Sequence, residues 1–292
     1  MKPAPFAYER PTTEPEALAL LANYGEDAKL LAGGQSLIPL LNFRLAYPER
    51  LIDINGLTEL DYIKANGSLR IGALTRQSTL EASDLVAEGW PLIAEVMPLI
   101  AHPQIRNRGT VGGSIAHSDP AAELPTVFAA LDASFHVRSE RGERTLDSAE
   151  LYVTHLTTRL EPDELLAEIE VPALPAGTGQ AFIEFARRHG DFALGGVAAV
   201  IGLDQSGAVN RAQIALLGAG STPIRATAAE QSLSGQKIDQ QVAAAAGAAG
   251  VAQIEPTGDI HGSSVYRRNL IEALIERALL KANERATPGG GD

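Results

Sequence analysis

The hydrophobic positions of the first fifty residues alternate between helical and extended spacing. A helix is predicted to begin near Thr13 and to end at Gly25, a residue type that commonly stops helices. Residues 29–32 then form a short apolar strand, residues 36–45 a helix and residues 50–54 a second strand. This order, with a glycine pair at the first turn, predicts a small β-α-β unit.

Extended patterns become more frequent after residue 57. Asn66-Gly67 lies between two apolar runs and predicts a hairpin. A second hairpin is predicted over 134–146, and residues 165–171 alternate as a strand that ends at Pro172.

Helical signals in this part of the chain are interrupted by glycine and proline. Helices are predicted over 79–88 and 91–101. The stretch 109–125 is rich in Gly and Pro, and we expect it to be too irregular for a helix.

The main domain boundary is predicted in 172–179, which holds two prolines and two glycines. Three strands are expected after it, over 181–186, 197–203 and 211–217, followed by helices over 240–253 and 263–283. This order predicts an α+β domain with a three-stranded antiparallel sheet backed by helices. The predicted units are residues 1–176 with lobes of about 1–56 and 57–176, residues 177–286, and a disordered tail over 287–292.

Composition excludes several classes of function. The net charge of -12 argues against nucleic-acid binding, which needs clustered Lys and Arg. The absence of cysteine removes disulfides, thiolate nucleophiles and iron–sulfur ligation from this chain. The N-terminal segment lacks an apolar run, so neither a signal peptide nor a membrane span is expected, and we expect a cytoplasmic protein.

The sharpest local feature is Leu31-Ala-Gly-Gly-Gln-Ser36. Consecutive amides at a glycine turn that leads into a helix form a concavity suited to a pyrophosphate, and Ser36 could add a hydroxyl donor. A plain strand-to-helix turn explains the same residues equally well. These residues alone leave both interpretations open.

A second glycine pair, in Thr110-Val-Gly-Gly-Ser114, also has hydroxyls on both sides. Asp119 and Glu123 follow closely. Alone this would be an ordinary Gly/Ser loop. Two such segments in one chain favour a dinucleotide that spans two lobes.

The remaining candidates favour structural roles. The segment 218–222 contains only part of GxGxxG and is expected to be a loop, and no P-loop motif occurs. Arg106 and Arg108 are expected to be solvated surface residues, and His102 and His117 loop hydrogen-bonders.

Five stretches together resemble the FAD-binding medium subunit of the molybdenum hydroxylases, the xanthine dehydrogenase family that includes carbon monoxide dehydrogenase and quinoline 2-oxidoreductase. They occur in the family's order and span almost the whole chain. The stretches are AGGQSLIPLLNFRLA (32–46), RNRGTVGGSIAHSDPAAELP (106–125), LEPDELLAEIEVP (160–172), ARRHGDFAL (186–194) and DIHGSSVYRRNL (259–270).

The resemblance implies a two-lobed FAD domain of the vanillyl-alcohol-oxidase (PCMH) type followed by a C-terminal α+β domain. It assigns the pyrophosphate to the first glycine segment, phosphate and ribose to the second, and the flavin ring to Leu160, Ile100 and the Asp191-Phe192 loop. Many relatives carry tyrosine where Phe192 stands, so this chain lacks the phenolic hydroxyl there. The implied FAD contacts are Leu31, Ala32, Gly33, Gly34, Gln35, Ser36, Ile100, Thr110, Gly112, Gly113, Ser114, Asp119, Glu123, Leu160, Asp191 and Phe192.

The resemblance also implies partners: a small subunit with [2Fe-2S] clusters and a large molybdopterin subunit, in a dimer of heterotrimers. This chain would then pass electrons through FAD and supply no catalytic acid, base or metal ligand. Similarity to the quinoline type favours an aromatic N-heterocycle as substrate of the complex. The alternatives are a self-contained flavin oxidase of the vanillyl-alcohol-oxidase type and a binding protein that has lost the flavin.

Overall fold

The computed structural model describes residues 1–289. Of the predicted tail over 287–292, Thr287 donates its amide to the Gly177 carbonyl at 2.8 Å. Residues 290–292 lie outside the described residues. The strands are β1 (Ala7–Glu9), β2 (Ala28–Leu31), β3 (Arg50–Asp53), β4 (Ile63–Asn66), β5 (Ser68–Gly72), β6 (Ser134–Ser139), β7 (Gly142–Asp147), β8 (Tyr152–Thr154), β9 (Thr157–Thr158), β10 (Leu165–Pro172), β11 (Gly179–Phe185), β12 (Gly195–Leu203), β13 (Val209–Leu217) and β14 (Ile224–Arg225). The helices are α1 (Glu14–Tyr24), α2 (Leu37–Asn42), α3 (Gln77–Glu81), α4 (Asp84–Gly89), α5 (Pro91–Val96), α6 (Pro103–Arg106), α7 (Val111–His117), α8 (Glu123–Ala130), α9 (Ser148–Leu151), α10 (Thr227–Leu233), α11 (Gln240–Gly250) and α12 (Ser264–Arg285).

The N-terminal lobe is built on a parallel three-stranded sheet in the order β1-β3-β2. The Thr13 hydroxyl caps α1 by accepting a hydrogen bond from the Glu16 amide, and Gly25 ends the helix with a positive φ of 50°. The predicted β-α-β unit is present as β2, α2 and β3.

The second lobe contains a five-stranded antiparallel sheet in the order β4-β5-β10-β6-β7. Both predicted hairpins are present, as β4-β5 and β6-β7. Phe128 of α8 and Phe135 of β6 are fully buried in the core over this sheet. The helix predicted over 79–88 is divided at Ser83, whose hydroxyl caps α4.

The prediction that 109–125 is too irregular for a helix is wrong, because α7 contains the second glycine pair. One local and one tertiary feature offset the weak helix propensity of glycine. Thr110 caps the helix, and a Cβ on Gly112 would lie 2.5 Å from the Cβ of Ala73. A side chain there would prevent this close packing of α7 beside β5.

The C-terminal sheet has four strands, in the order β11-β12-β13-β14, and the predicted number of three is wrong. The additional strand, β14, is only two residues long, too short for an alternating pattern to reveal it. Every residue of β12 is buried. Its alternate side chains pack against α12 on one face, where α11 in turn covers α12, and against α8 of the preceding lobe on the other.

Within residues 1–289, no helix is both long and apolar enough to cross a membrane.

Candidate functional site

The first glycine segment forms the turn between β2 and α2. Gly34 has a φ of 74°, a left-handed conformation that favours glycine. The Gln35 side chain donates to the Gly33 carbonyl at 3.0 Å. The amides of residues 33–36 donate no hydrogen bond to any other residue within 1–289. Four neighbouring N–H groups are therefore available for an anionic ligand.

The two glycine segments lie against each other, although more than seventy residues separate them. A Cβ on Gly33 would lie 2.4 Å from the carbonyl oxygen of Arg108 and 2.8 Å from the Cα of Gly109. A Cβ on Gly113 would lie 4.0 Å from the Cβ of Ala32. The structure thus brings together the segments that the sequence singled out separately.

Asn55 and Arg76 hold this junction together, and sequence reasoning missed both. Asn55 Nδ2 donates to the Ala32 carbonyl at 2.8 Å. Arg76 Nη2 donates to Asn55 Oδ1 at 2.7 Å, and its Nη1 donates to the Arg108 carbonyl. Burial lowers the pKa of Arg76, and repulsion from Arg108 lowers it further. The position of Asn55 just after β3 was the only signal in the sequence.

Amides of the second glycine segment are already committed within the protein. Gly112 donates to the Ala73 carbonyl at 2.9 Å, and Gly113 donates to the Thr110 hydroxyl oxygen at 3.1 Å. Ser114 is half-buried, and its amide donates to the Thr110 carbonyl at 3.2 Å. This segment can therefore offer the half-buried Ser114 side chain, whereas Thr110 is 2% exposed and caps α7, and Gly112 serves packing.

Two carboxyls follow the second glycine segment in different environments. Asp119 is half-buried, and its Oδ1 accepts from the Ala121 amide at 2.9 Å. Glu123 is buried at the start of α8, and burial raises its pKa to about 7. Burial also raises the pKa of Glu184 on β11 to about 8, with a further contribution from the charge of Glu123. The two carboxyls therefore differ in exposure, and only Asp119 already accepts a hydrogen bond from a backbone amide of the loop.

The loop that contains Asp191 and Phe192 contacts the second lobe where the C-terminal domain meets it. A Cβ on Gly190 would lie 2.4 Å from His102 Cε1, so the 187–192 loop rests on the loop that follows Ile100. The rings of His102 and His189 stack there with centroids 6.4 Å apart. Phe192 is 72% exposed.

The other two flavin-ring candidates, Ile100 and Leu160, differ in burial. Ile100 is buried, and Leu160 is half-buried against the same core cluster. Of these side chains, Phe192 therefore exposes the largest apolar surface, Leu160 exposes part of its side chain, and Ile100 exposes little.

Arg106 is not the solvated surface residue that we predicted. It is 5% exposed, and its Nε and Nη2 donate to the two carboxylate oxygens of Glu81 at 2.7 and 2.9 Å. Its Nη1 donates to the Ile100 carbonyl at 2.9 Å. A buried guanidinium needs such a partner. Through its bond to the Ile100 carbonyl, Arg106 also positions the backbone at Ile100. Arg108 is exposed, as predicted.

One group of potential metal ligands lies elsewhere, on the second-lobe sheet: His136, Glu168 and Glu170. Arg70 Nε donates to Glu168 Oε1 at 2.8 Å, and the Ser68 hydroxyl donates to Glu170 Oε1 at 2.6 Å. These partners already use the carboxylate oxygens, so the group is explained as an ion-pair network.

Comparison with known proteins agrees with this geometry. Residues 4–174 match the family described as FAD binding domain in molybdopterin dehydrogenase, and residues 180–282 match the CO dehydrogenase flavoprotein C-terminal domain. The chain belongs to the FAD-binding medium subunits of the molybdenum hydroxylases. It is therefore the FAD subunit of an oxidoreductase.

Individual relatives cover nearly the whole chain. It is 48% identical to the 6-hydroxypseudooxynicotine dehydrogenase complex subunit alpha of Paenarthrobacter nicotinovorans, over 99% of this chain and 98% of that protein. It is 41% identical to the caffeine dehydrogenase subunit beta of a Pseudomonas species, over 98% and 97%. A carbon monoxide dehydrogenase structure from Hydrogenophaga pseudoflava aligns with a TM-score of 0.95 at 41% identity, over 98% of this chain and 100% of that chain.

Proposed function

We propose that this chain passes electrons from [2Fe-2S] clusters on a small partner subunit to an external acceptor, beside a large molybdopterin subunit in a dimer of heterotrimers. The observation that carries the proposal is the turn at 33–36, with four free amides, against the Arg108–Gly113 backbone. The chain has no cysteine, so an iron–sulfur donor requires another chain.

Each part of the site has its own task toward FAD. The amides of 33–36 hold the pyrophosphate, and Gly33 and Gly112 permit close packing of the backbone around it. Thr110, Gly113 and Ser114 provide the ribose and phosphate side, with Asp119 or Glu123 as a hydrogen-bond partner there. The remaining turn residues, Leu31, Ala32, Gln35 and Ser36, shape the same concavity.

The part of the site that holds the isoalloxazine ring, here called the ring end, lies where the second lobe meets the C-terminal domain. Ile100 and Leu160 line the isoalloxazine, and the Asp191-Phe192 loop covers it from the C-terminal domain. Bound FAD supplies the two-electron chemistry, and the protein provides position and electrostatics. No acid or base of this chain is needed for the hydroxylation, which takes place on the large subunit.

The arrangement of units supports a two-lobed FAD domain of the vanillyl-alcohol-oxidase type over 1–176 and a flavoprotein domain over 177–286, in a cytoplasmic complex. We assign the complex an aromatic N-heterocyclic substrate. The relative named for caffeine supports this class, but a carbon monoxide dehydrogenase is equally similar at 41% identity. In this proposal the substrate pocket lies on the large subunit.

Stopped-flow mixing of the whole complex with substrate tests the electron route. We expect flavin reduction in the complex and none in the isolated chain, because reducing equivalents must cross an interface. Substrate oxidation by the isolated chain at the rate of the complex would favour the self-contained oxidase. The cofactor released by heat should be FAD; FMN or no flavin would contradict the site assignment.

A further inference from the structure

Two carboxyls, Glu123 on α8 and Glu184 on β11, lie where the second lobe meets the C-terminal domain. Glu184 is the register partner of Gly196 on β12. At the end of the neighbouring strand β13, Gly218 donates its amide to the Pro120 carbonyl at 3.1 Å, three residues before Glu123. These contacts connect the surroundings of the two side chains, and the charge of Glu123 acts on Glu184. We refer to Glu123 and Glu184 as the carboxyl pair.

The Glu184 side chain lies on the face of its sheet that meets the second lobe. Side chains alternate between the two faces of a strand, and Phe182, two residues earlier, is buried in the core of the second lobe. Gly196 leaves the neighbouring position on that face without a side chain. A Cβ on Gly196 would lie 3.1 Å from the Cβ of Glu184. The glycine therefore leaves room beside the carboxyl, on the face that α8 covers.

Within residues 1–289, neither member of the carboxyl pair forms a hydrogen bond or an ion pair with another residue. Glu123 is nevertheless 7% exposed, and Oε2 of Glu184 is completely buried. Oγ1 of Thr126, one turn further along α8, is also buried without a partner. Buried polar groups are nearly always hydrogen-bonded in folded proteins. A water or a ligand atom is therefore expected between these groups.

The surrounding charges do not neutralise the carboxyl pair. The charge that acts on Glu123 is that of Asp119, which has the same sign. His117 of α7 is neutral at pH 7, because burial lowers its pKa. Several basic side chains of neighbouring elements pair with other carboxylates. They are Arg211 of β13 and Arg225 of β14, which pair with Asp132, and Lys281 and Arg285 of α12, which pair with Glu95 of α5.

The carboxyl pair holds a proton at neutral pH as a result. Burial raises the pKa of Glu123 to about 7 and that of Glu184 to about 8, and the nearby like charge adds to each shift. A protonated carboxyl can donate a hydrogen bond, whereas a carboxylate can only accept one. The pair therefore offers a donor to an uncharged oxygen.

The position of the carboxyl pair connects it to FAD. Glu123 follows the second glycine segment, to which the proposed function assigns ribose and phosphate. Glu184 precedes by three residues the 187–192 loop, to which it assigns the flavin ring. We propose that Glu184, kept protonated by its surroundings and by Glu123, donates a hydrogen bond to a hydroxyl or carbonyl oxygen of bound FAD. The inference rests on the proposed function and adds Glu184 to the FAD-binding residues.

Titration of the flavin-free chain with FAD between pH 6 and pH 9 tests the donor. In the unaltered chain, the dissociation constant should rise about tenfold from pH 7 to pH 9, because Glu184 loses its proton around pH 8. Glu184→Gln keeps a donor that does not titrate, so its affinity should be nearly normal at pH 7 and should not show this rise. Glu184→Leu lacks a donor and should bind FAD about tenfold more weakly at pH 7.

Two further measurements support this comparison. Glu88→Gln removes an exposed carboxylate and should show the same pH dependence as the unaltered chain. Infrared difference spectra with isotope-labelled glutamate detect the proton itself. The C=O band of a protonated carboxyl should shift when FAD binds to the unaltered chain, and Glu184→Gln should lack that band.

The outcomes separate this inference from the proposed function. If the unaltered chain binds no FAD at any pH, the proposed function itself fails. If it binds FAD and Glu184→Leu has normal affinity, only the inference is overturned, since water would then complete the buried carboxyl. A pH dependence that Glu184→Gln retains would also overturn it, because another group would be titrating. If Glu184→Leu does not fold, the pH profile of Glu184→Gln decides.

Discussion

Gly33 and the Arg108 carbonyl approach so closely that any side chain at position 33 would collide with backbone. The Cβ of an alanine would lie 2.4 Å from that oxygen. Backbone atoms yield less easily than a flexible side chain, so the contact fixes the spacing of the two glycine segments. The free amides of 33–36 depend on that spacing to face one ligand.

We expect Gly33→Ala to lose most of its bound FAD and to unfold several degrees earlier. Overpacking costs about 1–3 kcal/mol, and about 1 kcal/mol shifts the melting temperature of a chain of this size by roughly 2–4 °C. The flavin-to-protein absorbance ratio and a thermal melt measure the two effects. Gly89→Ala is the control, because its Cβ would meet no atom within 4 Å. Normal FAD content in Gly33→Ala would show that the spacing is unimportant.

Gly34→Val should abolish FAD retention while leaving much of the fold intact. A β-branched residue is strained at a φ of 74°, and its methyl groups would obstruct the pyrophosphate. Gly67→Val is a matched control, since Gly67 has a φ of 75° in the β4-β5 hairpin and no atom near its Cβ. It should lose stability through the same strain and keep FAD. Equal FAD content in the two variants would mean that the turn is only structural.

Arg76→Lys should weaken FAD binding by about tenfold, because a lysine cannot bridge Asn55 and the Arg108 carbonyl with a planar fork. Titration of the flavin-free chain, followed by quenching of FAD fluorescence, gives the affinity. Arg70→Lys alters an arginine that pairs with Glu168 on the second-lobe sheet and should bind FAD normally. Equal affinities for both variants would remove Arg76 from the site.

The stability of the chain should depend on pH through Glu184. Burial raises its folded-state pKa from 4.5 to about 8, so the folded state holds a proton that the unfolded state releases. The contribution of protonated Glu184 to the free energy of unfolding is complete below about pH 4.5 and is lost as the pH rises to about 8. The melting temperature of Glu184→Gln should therefore rise relative to that of the unaltered chain by a few °C as the pH is raised from 5 to 9. Each kcal/mol of lost stability corresponds to about 2–4 °C.

Glu88→Gln, which removes an exposed carboxylate, controls for the change in net charge. A pH-independent difference between Glu184→Gln and the unaltered chain would contradict the shifted pKa.

The parts of the fold that could be predicted depend on local sequence. The turn at Gly33-Gly34 and the hairpin at Asn66-Gly67 are both visible because a few neighbouring residues determine their backbone angles. Helix α7 was missed because its glycines are poor helix formers, and the compensating contact, with Ala73, is almost forty residues away. Tertiary packing outweighed propensity there.

The same distinction applies to the site. Local patterns identified both glycine segments, but Asn55 and Arg76 acquire their positions only when four distant parts of the chain meet. Arg106 is buried because Glu81, twenty-five residues earlier, neutralises it. A single sequence does not display such pairings, so long-range polar contacts were the least predictable part of the site.

Phe192→Ala provides the test of the loop over the flavin. Phe192 is 72% exposed, so its removal should leave the melting temperature of the flavin-free chain nearly unchanged. In the complex, loss of an aromatic face from the ring end should alter the flavin spectrum or its redox behaviour. Hydroxylation by the large subunit should continue at nearly the normal rate with an artificial acceptor that draws electrons upstream of FAD.

Phe43→Ala is the matched control, because Phe43 is 67% exposed at the end of α2 and should leave the flavin spectrum unchanged. The decisive comparison is between the two activities of the Phe192→Ala complex. A selective loss of electron transfer through FAD places Phe192 at the flavin, since the upstream steps do not use this loop. Equal loss of both activities would mean that the loop serves assembly of the complex, because only a failure to assemble removes steps that precede the flavin.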